Sequence, residues 1–283
     1  LDEKNWKFSN PGLGVIRSIT DLRKQLKKAA RLPALENSAR NLLLNQRIST
    51  MALWLSPDVW KRGALPIDIE VFRNNPVSLG IDLSARNDLT AAVAAAQDSM
   101  TGLVHVMPFV FCPEEGILER GARDRAPYAT WVKKGQMFTC GKHTIDYEGF
   151  AVALRDMLSD LDIEIATIEF DRWRINEFKS ASERVGFASF AEWHEVGQGY
   201  KDFSPRCEAF LSLALSGKLR HGSHPLLNLA ASNAIAVMDP AGSTKLDKTK
   251  SSQRIDPLVA GVMAVFPVSE GGEGLFDAQA MVG

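Results

Sequence analysis

Three aspartates in this 283-residue chain fall where a carboxylate is costly unless something compensates it. Asp82 lies inside Val77-Ser78-Leu79-Gly80-Ile81-Asp82-Leu83-Ser84, Asp171 ends the stretch that begins at Ile163, and Asp256 immediately precedes the apolar run 257–265. An ionised acid inside an apolar strand is rarely left without compensation, because taking it out of water is strongly unfavourable. Like charges brought within a few ångströms repel, and a divalent cation is the usual remedy. Carboxylate oxygens suit hard ions such as Mg²⁺ and Mn²⁺. Two such ions about 3.5–4 Å apart hydrolyse phosphodiesters by activating water and stabilising the leaving oxygen. With 89 and 85 residues between successive acids, only a tertiary fold could bring them together. Each also has a plainer reading: Asp256 before Pro257 makes a good helix N-cap, and Asp171 before Arg172-Trp173-Arg174 could sit in a loop ion pair. Glu169 shares a strand face with Asp171 and could replace or supplement it.

Other chemistry is thinner. His221 and His224 have HxxH spacing, but no Cys or acid stands at a finger-like offset, and Gly222 and Pro225 mark a loop. His105 and His194 read as packed or surface side chains, Trp131, Trp173 and Trp193 as core. Neither Ser nor Cys sits in a nucleophile elbow. Gly242-Ser243-Thr244-Lys245 has neither the spacing nor the lysine-hydroxyl pair of a phosphate loop, so ATP hydrolysis is not expected of this chain.

The elements that must position the acids follow from periodicity. Up to about residue 72 the chain reads as polar and helical: Thr20-Asp21 can cap a helix ending at Ala30 before Pro33, a second helix is expected over 34–45, and Trp54, Leu55, Pro57 and Trp60 suggest a docking segment that buries two indoles. From Pro76 the texture turns to β. Strands are expected over 77–84, 89–96 and 103–111 as an antiparallel meander, with Leu79, Ile81 and Leu83 on one face and Gly80, Asp82 and Ser84 on the other. Helices follow near 114–123, 128–134 and 147–161, then a strand over 163–171, a helix over 175–185, a short strand near 193–196 and a helix over 205–216. A turn at 221–225, a hairpin pairing 233–239 with 244–248, and an apolar helix over 257–265 complete the order. This is an α/β fold with a mixed sheet flanked by helices.

Composition agrees with that class. Hydrophobic residues are 45% and charged residues 24%, which excludes a disordered or collagen-like chain. The length allows one large domain with an appendage, or two small ones. Thirty-three basic against 34 acidic residues give a net charge of −1, so contact with a polyanion must rest on local patches. Cys112, Cys140 and Cys207 are odd in number and lack CxxC spacing, which argues against a disulfide framework and for a reducing cytosol. No apolar run approaches the ~18 residues of a membrane span, and the amino-terminal residues do not have a signal-peptide layout.

Gly80-Ile81-Asp82-Leu83-Ser84 with Asp88-Leu89-Thr90-Ala91, Phe170-Asp171-Arg172-Trp173-Arg174, and Arg254-Ile255-Asp256-Pro257-Leu258-Val259-Ala260 resemble the three acidic motifs of the nuclease domain of tailed-bacteriophage large terminase subunits, in the HK97-like branch. Supporting segments resemble the same family in the same order: Asn10-Pro11-Gly12-Leu13-Gly14, Leu44-Asn45-Gln46-Arg47, Asp124-Arg125-Ala126-Pro127-Tyr128, Gly197-Gln198-Gly199-Tyr200, His221-Gly222 and Asp239-Pro240-Ala241-Gly242. The similarity runs over residues 6–266. It implies an RNase H-like fold and an endonuclease that uses two divalent ions, Mg²⁺ or Mn²⁺, to cut concatemeric phage DNA during packaging in the host bacterial cytoplasm.

By motif, Asp82, Asp171 and Asp256 would hold the metals, and Asp88 would act through metal-bound water or serve only as a turn residue. Double-stranded DNA would be held by its phosphates. Lys245, Lys248, Lys250 and Arg254 form a basic approach to Asp256 that reads as a DNA clamp or a solvated loop, and Arg172 could reach phosphate or orient Asp171. The family's ATPase motor, small subunit and portal protein are the implied partners, with no membrane. On this reading residues 1–72 connect to a missing motor, which fits a chain that opens on Leu1, 73–268 form the nuclease, and 269–283 are a flexible tail. A Holliday-junction resolvase or transposase core, or a docking module with a vestigial acidic site, are the alternatives.

Overall fold

A computed structural model of the chain describes residues 3–31, 39–40, 42–45, 53–84, 89–172, 175–239, 241–248, 251 and 254–269. Two compact units divide it, residues 1–52 and 53–283. In the first, α1 (Trp6–Ser9) precedes α2 (Ile19–Arg31). Leu22, Leu26 and Ala29 recur on one face of α2 and form a small core with Trp6, Leu13, Ala39 and Leu44. The helix begins at Ile19, ahead of the Thr20-Asp21 cap expected from sequence, because Ser18 Oγ accepts from the Asp21 N–H (3.3 Å) and serves as the cap instead. Of the helix expected over 34–45, residues 39, 40 and 42–44 are helical, and 34–38 and 41 lie outside the described residues.

The second unit opens with α3 (Pro57–Lys61) and α4 (Ile69–Asn74). Of the two indoles expected to be buried, Trp60 is, stacked on His221 at 3.8 Å, while Trp54 is half-buried against Phe210. The central strands are β1 (Val77–Asp82), β2 (Thr90–Gln97) and β3 (Val104–Cys112), paired antiparallel as the meander requires. After α5 (Ile117–Arg123), α6 (Tyr128–Lys133), β4 (Phe138–Thr139) and α7 (Tyr147–Asp160), β5 (Ile165–Phe170) lies parallel to β1. Then come α8 (Ile175–Val185) and β6 (Glu192–Glu195), which extends the parallel half. The remaining elements are α9 (Tyr200–Leu215), β7 (Leu219–Arg220), α10 (Pro225–Asn233), the hairpin β8 (Ala236–Met238) and β9 (Thr244–Leu246), and α11 (Asp256–Val268). Among the described residues the main sheet has seven strands, ordered β4-β3-β2-β1-β5-β6 with β7 beside β3.

Alternation along the strands divides the core. Leu79, Ile81, Ala92 and Ala94 pack with Phe150, Leu154 and Phe178 of α7 and α8. Ala91, Val93 and Ala95 face the other way, toward Phe210, Leu226 and the apolar residues of α11. Two features are not legible in the sequence: α9 starts at Tyr200, with Pro205 inside its second turn, and α10 occupies a stretch read only as the end of a turn. Among the described residues no helix is long and apolar enough to cross a membrane, and all three cysteines are free thiols.

Candidate active site

The site begins with a glycine. A side-chain carbon on Gly80 would stand 2.0 Å from the Ala260 carbonyl oxygen and 2.7 Å from the Ala264 nitrogen, so only glycine lets α11 lie this close against β1. Two residues further along the strand, on the same face, is Asp82; one turn earlier in the helix is Asp256. A two-residue strand step (about 6.6 Å) and a four-residue helix step (about 6 Å) nearly match, so the contact at Gly80 and Ala260 brings the two acids opposite each other.

Both acids are buried, Asp82 3% and Asp256 5% exposed, and they share one cation: Lys248 Nζ is 2.6 Å from Asp82 Oδ2 and 3.4 Å from Asp256 Oδ1. The alternative reading of Asp256 as an N-cap is not what the fold uses. Asp256 is the first helical residue, Ile255 precedes it with no side-chain capping bond, and Asp256 Oδ2 is buried with no hydrogen-bond partner. α11 does not need a cap of about 1 kcal/mol, since burying each of Leu258, Val259, Val262 and Met263 stabilises it by about 1.5–3 kcal/mol.

Asp171 follows the last residue of β5. The parallel register Ile81↔Phe170 puts it next to Asp82 across the strand pair, half-buried. The electrostatics carry the same relationship. The Asp82 carboxyl stands raised to about 7: burial pushes it up most, the Lys248 ammonium pulls it down, and Asp256 and Asp171 add to the rise. For Lys248, burial acts downward but the two carboxylates outweigh it and hold the ammonium above its usual range.

Among the described residues no three His, Cys, Asp or Glu side chains stand close enough to ligate one ion directly. The donor set nevertheless suits hard divalent cations. Every donor is a carboxylate oxygen, Asp256 Oδ2 is buried and unpartnered, an ammonium already bridges two of the acids, and Asp82 also feels the negative charge of Asp171.

The other expected residues divide clearly. Glu169 is fully buried and held by Arg206 through two bonds (Nε 2.7 Å, Nη2 2.6 Å), while Arg206 lies over the Phe266 ring. Lys245 donates to the Gln198 carbonyl (3.3 Å) and sits over the Tyr200 ring, and the largely exposed Arg172 pairs with Glu195 (2.8 Å). Asp88 and Lys250 lie outside the described residues. His221 of the HxxH pair is a packing residue: its Nε2 donates to the Trp60 carbonyl (2.8 Å) and its Nδ1 accepts from the Ser223 N–H (3.2 Å), so neither of its ring nitrogens is left for a metal.

Sequence reasoning gave no role to Asp124, a buried acid that accepts from Arg123 (Nε 2.9 Å), the Tyr128 hydroxyl (3.0 Å) and Arg254 (Nε 3.2 Å). Its only sequence signal is its place in Asp124-Arg125-Ala126-Pro127-Tyr128.

A mixed sheet in this strand order, with helices on both faces and acids gathered where β1 and β5 end and α11 begins, is an RNase H-like nuclease fold. The sequence matches the family model "Terminase large subunit, endonuclease domain" over residues 1–272. It is 41% identical over 265 residues to the large terminase subunit of Enterobacteria phage HK97, covering 93% of this chain and 50% of that protein. It is 21% identical to the terminase large subunit of Lactococcus phage SK1, covering 93% and 48%. The crystal structure of the HK97 bacteriophage large terminase aligns with a TM-score of 0.69 at 40% identity, over 93% of this chain and 53% of that one. The chain belongs to the family of terminase large subunit endonuclease domains, and it spans about half the length of the curated relatives it matches.

Proposed function

We propose that the chain is a divalent-metal-dependent DNA endonuclease that cuts concatemeric phage DNA during genome packaging. The observation that carries this reading is the pair of buried acids, Asp82 and Asp256, sharing a single ammonium, beside the position of Asp171. Asp82, Asp171 and Asp256 are the metal-holding carboxylates, and Asp88 assists through bound water. Two Mg²⁺ or Mn²⁺ ions bound there supply Lewis-acid polarisation of the scissile phosphate and activation of the attacking water. The chain's own contribution is geometric and electrostatic. β1 and α11 fix two acids against each other, β5 adds the third, and Lys248 balances their charge until a stronger cation takes its place. Lys245, Lys248, Lys250, Arg254 and Arg172 supply positive charge for backbone phosphates, which suits a cutter that must accept many sequences.

Residues 73–268 carry the nuclease and 1–72 lead from an ATPase motor in the longer protein; the stretch 270–283, read from sequence as a tail, lies outside the described residues. The motor, the small subunit and the portal protein are the partners, and the host cytoplasm is where the reaction takes place. Incubating supercoiled plasmid with the chain and Mn²⁺ or Mg²⁺ tests the reading. Nicked and linear products are expected, with none in chelator, and Asp82→Asn or Asp256→Asn should remove cutting while the thermal unfolding transition stays cooperative. Normal cutting by either variant would overturn it.

A further inference from the structure

Beside the acids runs a polar cleft of about 710 Å³ whose wall includes Arg123, Asp124, Arg125, Lys248 and Arg254. Lys248 belongs to both places, since its ammonium bridges Asp82 and Asp256. Asp124 is the one acid in that wall, buried at 4% exposure, and its carboxylate is committed to Arg123, Tyr128 and Arg254. It therefore orients two guanidiniums rather than opposing an incoming anion. Arg254 is two residues from Asp256, so the same bond ties the corner between α5 and α6 to the start of α11.

Arg125 is the telling residue. α5 ends with the Ala126 N–H bonded to the Gly121 carbonyl (2.8 Å) and the Arg125 N–H to the Ala122 carbonyl (3.3 Å), the paired bonds of a Schellman ending. That motif places Arg125 in the left-handed region at φ 49°, where glycine is the usual and sterically free choice. The Arg125 side chain is exposed at the cleft, so core packing does not explain why an arginine occupies the position. An unfavourable backbone conformation at a residue lining a functional cleft points to a use for its side chain.

We propose that this cleft is a binding site for the DNA phosphate backbone outside the acid centre. Arg125 contacts a phosphate directly, and Asp124 is a positioning residue that acts through Arg123 and Arg254. Four cations along a cleft of this size fit a run of backbone phosphates, and guanidinium forks match phosphate oxygens two at a time. The inference rests on reading the adjoining acids as a nuclease centre.

The test separates binding from cutting. Anisotropy of a labelled 30-base-pair duplex is titrated with the chain in Ca²⁺ between 50 and 200 mM salt, for wild type and Arg125→Gly. The glycine variant is expected to melt at or above the wild-type temperature yet bind severalfold more weakly, with the slope of log K against log salt shallower by about 1 for the lost phosphate contact. Wild-type affinity and slope in Arg125→Gly would overturn the proposal. In plasmid cleavage, Asp124→Asn is expected to raise KM several times more than it lowers kcat; equal losses in both would remove its positioning role. Weakened binding by Arg125→Gly in a chain whose wild type cuts no DNA with either Mg²⁺ or Mn²⁺ would sink the nuclease reading and leave the cleft standing. Normal metal-dependent cutting with unaltered binding would sink the cleft alone.

Discussion

Gly80 and Ala260 meet backbone to backbone, with only 2.0 Å between the Ala260 carbonyl oxygen and the point where a side chain on Gly80 would begin. This contact lies on the same strand and helix that carry Asp82 and Asp256, so the spacing of the acids depends on a residue that has no chemistry of its own.

Gly80→Ala should therefore damage both stability and activity. The added carbon meets main chain, which cannot rotate away, so α11 must move. Overpacking of this kind costs about 3 kcal/mol, or roughly 6–12 °C in melting temperature for a domain of this size. Cleavage should fall at least tenfold even at temperatures where the variant remains folded. Thermal melts and plasmid assays side by side check this, and a melting temperature within a degree or two of wild type would contradict the packing described.

Lys248→Met should lower the stability of the metal-free protein by about 1–2 kcal/mol, a figure discounted for a side chain that is 45% exposed. It should also make Mn²⁺ bind more tightly, by tenfold or more, because the ion no longer displaces an ammonium. Calorimetric titration with Mn²⁺, paired with melts in chelator, reads both effects. Unchanged metal affinity would mean that Lys248 does not compete for the site.

Arg206→Met should leave Glu169 buried without its counter-charge and cost about 3–5 kcal/mol. Adding Glu169→Leu should recover much of that loss, and the double variant should still cut DNA, since Glu169 is a structural acid here. Urea unfolding and cleavage at 20 °C decide it. A stable double variant without cleavage would return Glu169 to the metal site.

In the metal-free protein Asp82 should contribute less stability as pH rises from about 4 to about 7. The effect is read as the difference between wild-type and Asp82→Asn melting temperatures, because His105, His221 and His224, whose imidazoles burial holds below their usual range, act in the opposite direction. Asp82 is pushed from the ordinary 3.8 to about 7, mainly by burial, with Asp256 and Asp171 adding to the shift and Lys248 opposing it. Between those values Asp82 is more protonated in the folded chain than in the unfolded one, so its contribution to stability falls with pH and levels off above about 7. Burial shifts Glu169 in the same direction. The stabilisation given by Mn²⁺ should accordingly grow from pH 5 to 8. A difference between wild-type and Asp82→Asn melting curves in chelator that stays flat over pH 5–7 would place Asp82 near its ordinary value.

How much of this the sequence contains varies by residue. Alternation in Val77–Ser84 alone puts Gly80 and Asp82 on one face, and the strand ending at Asp171 is equally plain. Asp256 is ambiguous locally, because an acid before Pro257 has the pattern of a cap; only the burial of α11 decides the matter. That Lys248 also pairs with Asp82 is hidden because the two are 166 residues apart, and Arg254 meets Asp124 across 130. Such pairings are tertiary facts with no local signature. The same holds for α10, where Leu226, Leu227, Ala230 and Ala231 are all buried, leaving too little polar contrast to mark a helical period.

The central claim is that Asp82, Asp171 and Asp256 together hold divalent ions. Anomalous scattering from crystals soaked in Mn²⁺ tests it most directly. Two peaks about 4 Å apart among these three carboxylates, with the Lys248 ammonium displaced, are the expected result. Full Mn²⁺ occupancy elsewhere on the molecule, with Lys248 still bridging Asp82 and Asp256, would contradict it.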